Sequence, residues 1–302
     1  MAWTTTSTLT SDVDDSVVTL WEKGVILTAT PETILDQVVT VKRDINSKSI
    51  QFTKYANMSL ATTALVEADD PNSVVITDTA ITVTPVEYGN VVTTTKLANF
   101  QTGGKIDMAA AQLVGRNMGA SVDKIGMTVA EAFSTTVIYP NAATAASNLT
   151  VSDVLDLKFA NRLYNKLARA NVTGINGNYI GIAHDDVLFD LRDSLIPVKQ
   201  YADLTSVMTN EVGMAAGIRW LRSGNVTVTA DSNGTIDSYK TMVYGFNALG
   251  KAVSEEPHPV ISGPFDKLGR FTNVGWYGVF KHAFIDTANA VQGITASSVG
   301  SN

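Results

Sequence analysis

Three histidines, His184, His258 and His282, are the side chains best suited to proton transfer or metal ligation near neutral pH. His184-Asp185-Asp186 follows the short apolar run Tyr179-Ile180-Gly181-Ile182-Ala183, a strand end from which catalytic groups often project. An acid–base pair or half of a metal site would be its chemistry. A metal needs a further ligand, and neither remaining histidine is spaced to supply one, so capping or turn carboxylates fit the pattern better. Cysteine is absent, which excludes thiol nucleophiles, zinc-thiolate centres and disulfides. No G-x-S-x-G elbow or H-E-x-x-H helix occurs, and Gly174-Ile175-Asn176-Gly177 lacks the lysine of a phosphate loop. Asp231-Ser232-Asn233-Gly234 starts like a calcium loop but lacks the acidic spacing and the terminal glutamate. Between Asn225–Thr229 and Tyr239–Phe246 it reads instead as a hairpin turn. Glu67, Asp69 and Asp70 could ligate a cation across an interface, although solvated loop carboxylates account for the same cluster. No catalytic residue, cofactor or metal site is expected.

The elements that would have to position such groups suggest a different purpose. Hydrophobic residues make up 45% of the 302, enough for a sizeable core, while only 17% are charged, against roughly 25% in typical soluble domains. A surface poor in charge suits a protein largely covered by copies of itself. The net charge of −7 comes without a basic cluster, so tight phosphate binding is not expected. The first residues lack the basic and apolar regions of a secretory signal, and no apolar run approaches the roughly 20 residues of a membrane span. The expected setting is therefore cytoplasmic.

The longest periodic segment runs from Ile106 to Tyr139 and is closed by Pro140. Val114, Met118, Val122, Ile125, Val129, Phe133 and Val137 recur at helical spacing, which predicts one buried face on a helix roughly 50 Å long. Thr150 with Asp153 resembles a cap for a second helix bearing Val154, Leu157, Ala160, Tyr164 and Leu167. A brief helix follows over Val187–Leu191. Strands are expected at Ser49–Lys54, Val74–Thr84, Tyr88–Thr95 and Trp276–Ile285, and the proline-rich Glu256–Pro259 reads as a crossing between subdomains. The first two strands form a ribbon with a long excursion at its tip. Neither it nor the N-terminal segment around Val17–Trp21 and Val25–Leu27 has an evident surface of its own to pack on. A neighbouring subunit would have to supply one.

Arm, ribbon, strand, long helix, mixed lobe and returning strand, in that order, make an α+β chain that resembles the major capsid protein of tailed bacteriophages. Encapsulins and the herpesvirus capsid floor share this fold. The local sequences that carry the resemblance are Ala64-Leu65-Val66-Glu67 with Asp70-Pro71, Tyr88-Gly89, Tyr179–Leu191 with Arg192, and Gly213 with Gly217-Ile218-Arg219. Asp266, Leu268-Gly269-Arg270 and Val274-Gly275-Trp276 complete the set. The resemblance implies an N-terminal arm at 1–45 and a ribbon at 46–85 that overlaps an adjacent subunit as the E-loop. It also implies a P-domain strand and spine helix at 86–144, an α/β A-domain at 145–262, and a returning P-domain strand with the C-terminal tail at 263–302. Trp21, Leu60, Leu65, Glu67, Asp69, Asp70, Asp266, Arg270 and Trp276 become the expected inter-subunit contacts. The implied function is an icosahedral shell of hexamers and pentamers that encloses double-stranded DNA without binding it specifically. Portal, scaffolding and decoration proteins are the implied partners, the virion capsid the location, and the host cytoplasm the place of assembly. No membrane or cofactor is involved. A nanocompartment shell like the encapsulins and a tail tube subunit are the alternatives.

Overall fold

In the computed structural model the described residues are 33–299, apart from 46, 63, 66, 68, 69, 71, 72, 102–104, 196–210, 231, 233, 235 and 265. The expected features within 1–32, including Trp21, lie outside them, as does Asp69.

One long helix joins two sheets. The smaller sheet is ordered β1 (Thr40–Arg43), β11 (Leu249–Ser262), β12 (Phe271–Phe284) and β4 (Val86–Thr95). The larger runs β5 (Val137–Ile138), β13 (Ala290–Thr295), β10 (Ser238–Tyr244), β6 (Tyr179–Ala183), β8 (Ile218–Arg222) and β7 (Glu211–Ala215), with the short β9 (Val228–Thr229) also paired to β10. The ribbon is a separate antiparallel pair, β2 (Ile50–Tyr55) and β3 (Asp78–Val83). Four helices complete the order: α1 (Lys96–Gln101), α2 (Lys105–Glu131), α3 (Leu157–Arg169) and α4 (Asp185–Leu195). No helix among the described residues is long and apolar enough to cross a membrane.

The larger sheet is covered on both faces, which explains why β6 reads as an unbroken apolar run. Tyr179 and Ala183 face α3 and α4, meeting Phe159, Leu163, Leu167, Val187 and Leu191. Ile180 and Ile182 face the opposite way, onto Met127 and Ala130 of α2 and onto Leu35. Gly181 leaves room for Trp220, whose ring would lie 2.6 Å from an added Cβ.

Several sequence expectations are corrected. α2 ends at Glu131, which makes it about 40 Å long. Phe133 follows the helix, and Val137 belongs to β5, paired in parallel with β13. Thr135-Thr136-Val137-Ile138 is a β-branched run that favours strand over helix. Thr150 and Asp153 bond to each other in a turn, with Thr150 N–H and Oγ both donating to Asp153 at 2.8 and 2.7 Å. The carboxylate that caps α3 is Asp156, which accepts from Phe159 N–H at 2.6 Å. Its buried face is Phe159, Ala160, Leu163 and Leu167, which shares Ala160 and Leu167 with the expected one, and the expected Tyr164 packs partly buried against the same core. Val74–Ile76 lie outside the ribbon ladder and are exposed, because pairing runs only from Asp78 to Val83. Glu256–Pro259 is part of β11, where Pro257 falls within a register shift against β12 and Pro259 sits opposite Trp276 in regular register. Val228–Thr229 of β9 pair antiparallel with Ser238–Tyr239 of β10, while Asp231 and Asn233 of the expected turn lie outside the described residues.

Candidate functional site

The three histidines lie on different elements. His184 Nδ1 accepts Asp186 N–H at 3.3 Å where α4 begins, and Asp185 and Asp186 occupy the first turn, where carboxylates favour the helix dipole. Tyr239 donates its hydroxyl to Asp186 at 3.0 Å, and burial together with that carboxylate pushes the phenol well above its ordinary pKa. This is a helix start, held by a strand. His258 is on β11, with Nδ1 2.9 Å from the Glu256 carbonyl. His282 is buried on β12 with no hydrogen-bond partner at either nitrogen. Among the described residues no group of three His, Asp or Glu could hold a metal ion.

The ribbon is a stronger candidate for function. Its base is anchored: Ile50, Phe52 and Val83 are buried on Ala252, with Ile81, Ala283 and Ile285 alongside. Lys54 reaches Asp286 at 2.5 Å. The expectation that the ribbon has no surface of its own is thus corrected for its base, because strands distant in sequence provide one. Tyr55, Ala56 and Asn57 still line a cavity with Ala170–Thr173 and Phe246, and the described residues of the loop beyond them are exposed. Leu60 is 88% and Leu65 77% exposed, and Met58, Val74, Val75, Ile76, Glu67 and Asp70 are exposed with them.

The remaining expected contacts divide. Asp266 accepts Arg270 N–H and, at 2.7 Å, Arg270 Nε–H, which closes the turn between β11 and β12. The Arg270 N–H and guanidinium hold the Asp266 carboxyl below its ordinary range. Arg270 also lies 5.3 Å over the Phe271 ring and remains largely exposed. Trp276 is only 5% exposed. Its Nε1–H donates to Asn117 on α2 at 2.9 Å, so it packs within its own chain and offers little surface to a neighbour. Val114, Met118 and Val122 pack on Val253, Val274, Trp276 and Phe280, with Ile125 partly buried beside them. Val129 is half-buried. Phe133 belongs to the other core, its ring 5.0 Å from that of Phe284.

Sequence reasoning missed the polar clamps along α2. Asp123 is buried and accepts Ile34 N–H at 3.0 Å, Leu35 N–H at 2.8 Å and Asn225 Nδ2–H at 2.8 Å. Lys124 donates to the Asn225 carbonyl at 2.7 Å, and Glu131 accepts Thr227 N–H at 2.5 Å. One helix edge therefore grips both the incoming segment at 33–38 and the loop at 223–227. No signal in the sequence marked Asp123, which stands one position off the apolar stripe and takes its partners from segments 88 to 102 residues away. Lys251, 4% exposed, pairs with Asp36 at 2.8 Å and adds a second tie between β11 and the incoming segment.

No family model matches the sequence, and no curated protein matches it. Solved structures do. The capsid of Ralstonia phage GP4 is similar with a TM-score of 0.65 at 12% identity, covering 86% of this chain and 87% of that one. The head of Helicobacter pylori bacteriophage KHP40 is similar with a TM-score of 0.65 at 13% identity, covering 87% and 91%. A virus-like particle from Pyrococcus furiosus reaches 0.55 at 10% identity, covering 91% and 97%. Likeness over most of both chains at such low identity establishes architecture, and the architecture of this chain is the phage capsid fold.

Proposed function

We propose that this chain is a structural subunit and not an enzyme: the major capsid protein of a tailed bacteriophage, which assembles with its own copies into an icosahedral shell around double-stranded DNA. One observation carries the reading. A β-ribbon anchored at its base leaves Leu60, Leu65 and Val74–Ile76 in solvent, on a chain with the phage capsid fold. Burying such surface on a neighbour is favourable by about 25 cal/mol per Å². Closed symmetry multiplies each small contact over the whole shell.

In this reading 46–85 is the E-loop, and Leu60, Leu65, Glu67, Asp69 and Asp70 touch the next subunit. The spine α2 and the four-stranded sheet form the P-domain. The seven-stranded sheet with α3 and α4 forms the A-domain, which meets its copies in hexamers and pentamers. Because β11 pairs with β12 along its length, we assign 249–262 to the P-domain, and β13 to the A-domain. Asp266 and Arg270 present the β11–β12 turn to a neighbour, and the arm with Trp21 provides a further contact. The acidic net charge suits DNA that is enclosed rather than gripped. Assembly in the host cytoplasm, and portal, scaffolding and decoration partners, belong to the same reading.

A second reading, a nanocompartment shell, draws support from the likeness to the Pyrococcus virus-like particle. Electron microscopy of the purified protein tests both. Closed shells support the capsid or compartment reading, and packaged DNA or enclosed protein separates the two. Open tubes would identify a tail tube subunit, and a monomer under all assembly conditions would overturn the shell.

A further inference from the structure

The cations of this acidic chain are dispersed in sequence, and the helical repeat of α3 gathers four of them. Lys158, Arg162, Lys166 and Arg169 all lie on this helix, which contains no Asp or Glu. The next carboxylate along the chain is Asp185. At 3.6 residues per turn the four fall within an arc of about 80°, along about 16 Å of helix axis. The other side of α3 is fixed by Phe159, Ala160, Leu163 and Leu167 in the core on the seven-stranded sheet. The stripe therefore faces away from the sheet, and all four cations are exposed.

The subunit does not neutralise them. Among the described residues none of the four enters an ion pair, and Arg162 lies 5.7 Å over the Phe159 ring. Asp156, at the start of the helix, is taken up by the Phe159 N–H that it caps. Like charges three and four apart weaken a helix, and Lys158 in the first turn also opposes its dipole. The stripe is thus a cost to the free subunit that an anionic partner would remove.

The neighbouring side chains decide the class of partner. Asn161 and Asn165, the other exposed polar positions on this side, are amides, and α3 has no exposed large hydrophobic residue. A protein partner would need a desolvated core, from which lysine is depleted. Lys, Arg and Asn are instead the side chains that bond phosphate oxygens along a nucleic-acid backbone.

We propose that α3 is a track for the phosphate backbone of duplex DNA, bound without regard to base sequence. This deepens the capsid reading and rests on it for the source of the DNA. Four phosphate contacts make a weak attachment, on the order of 10⁻⁴ M at physiological salt, which a shell repeats many times.

The test is fluorescence anisotropy of an arbitrary-sequence duplex with dilute, unassembled subunit. Binding should weaken about 10²-fold from about 50 to about 200 mM salt, a log–log slope of about −3.6. Replacing Lys158, Arg162, Lys166 and Arg169 together by Gln, which has a similar helix propensity, should weaken binding more than about tenfold at low salt and flatten the slope. Each single substitution, such as Arg162→Gln, should reduce the slope by about 0.9, which keeps the test open if the fourfold variant folds poorly. Lys267→Gln with Lys281→Gln, exposed cations away from α3, should change neither quantity. No duplex binding at low salt, or binding that survives the fourfold variant, would overturn the proposal. Salt-sensitive self-association in sedimentation velocity that the fourfold variant abolishes, with duplex binding unaltered, would assign the stripe to an acidic face of a second copy and overturn it too. Shell closure is read separately by electron microscopy. Shells from a subunit that binds no duplex would remove this proposal alone, and duplex binding by a subunit that never closes shells would remove the capsid reading alone.

Discussion

Buried charge and buried imidazole are concentrated where segments distant in sequence meet. Asp123 satisfies two N–H groups of the incoming segment and the Asn225 amide on the lobe loop. Asp123→Ala leaves buried donors without an acceptor, so we expect a loss of about 2–4 kcal/mol in the urea unfolding of the free subunit. Asp123→Asn, which keeps one carbonyl acceptor, should lose less. His282 adds a pH term. Burial, with the Lys251 charge beside it, lowers its pKa from 6.5 to about 4, although Asp36 opposes the shift. The unfolded chain takes up the proton first as pH falls below about 6.5, so stability is full above that value and declines until about pH 4. The drop is on the order of 3 kcal/mol. Urea midpoints measured from pH 7.5 to 4 should show this slope, and His282→Leu should flatten it. A slope unchanged in the variant would place the titration elsewhere. Neither role was legible in the sequence. Burial of Asp123 is evident only once 33–38 and 223–227 are both docked, and His282 looked no different from His258.

The spine helix contributes Val114, Met118 and Val122 to one core and Met127 and Ala130 to the other. Gly126 lies between them, where an added Cβ would come within 2.3 Å of Leu35 Cδ2. Val122→Asp puts an unpaired carboxylate into the first core and Phe133→Asp puts one into the second. Each should cost several kcal/mol and leave little soluble, folded subunit, as judged by circular dichroism and gel filtration. A well-folded protein from either would contradict the packing described here. The existence of the helix and its face as far as Ile125 could be read from apolar spacing alone. Its end could not. Periodicity happens to continue through Phe133 and Val137, but β5 is drawn into parallel pairing with β13, more than 150 residues further along. The capping carboxylate of α3 was missed by three residues, because Thr150 and Asp153 make a local bonded turn that mimics a helix start.

For the whole molecule, the ribbon divides into a base that packs on this chain's own strands and an outer part whose described residues are exposed. Deleting residues 56–72 should leave a monomer with unchanged unfolding, yet abolish closure of normal shells in electron micrographs. Shells of normal size and stability from that deletion would remove the ribbon from the assembly surface. The outer ribbon was readable in sequence as apolar residues lacking a partner. Its anchoring was not, since Ala252, Ala283 and Ile285 are unremarkable until β11 and β12 bring them together. Trp276, which the resemblance placed among the inter-subunit contacts, packs under α2 within its own chain, a cover visible only once helix and sheet are together.

The position of β13 has a consequence in time. It lies between β5 and β10 and pairs with Tyr239–Tyr244 along one edge of the lobe's sheet. During synthesis that edge stays bare until residues 290–295 have left the ribosome, long after the ribbon has emerged. A nascent chain therefore completes the β2–β3 ribbon long before this sheet can close.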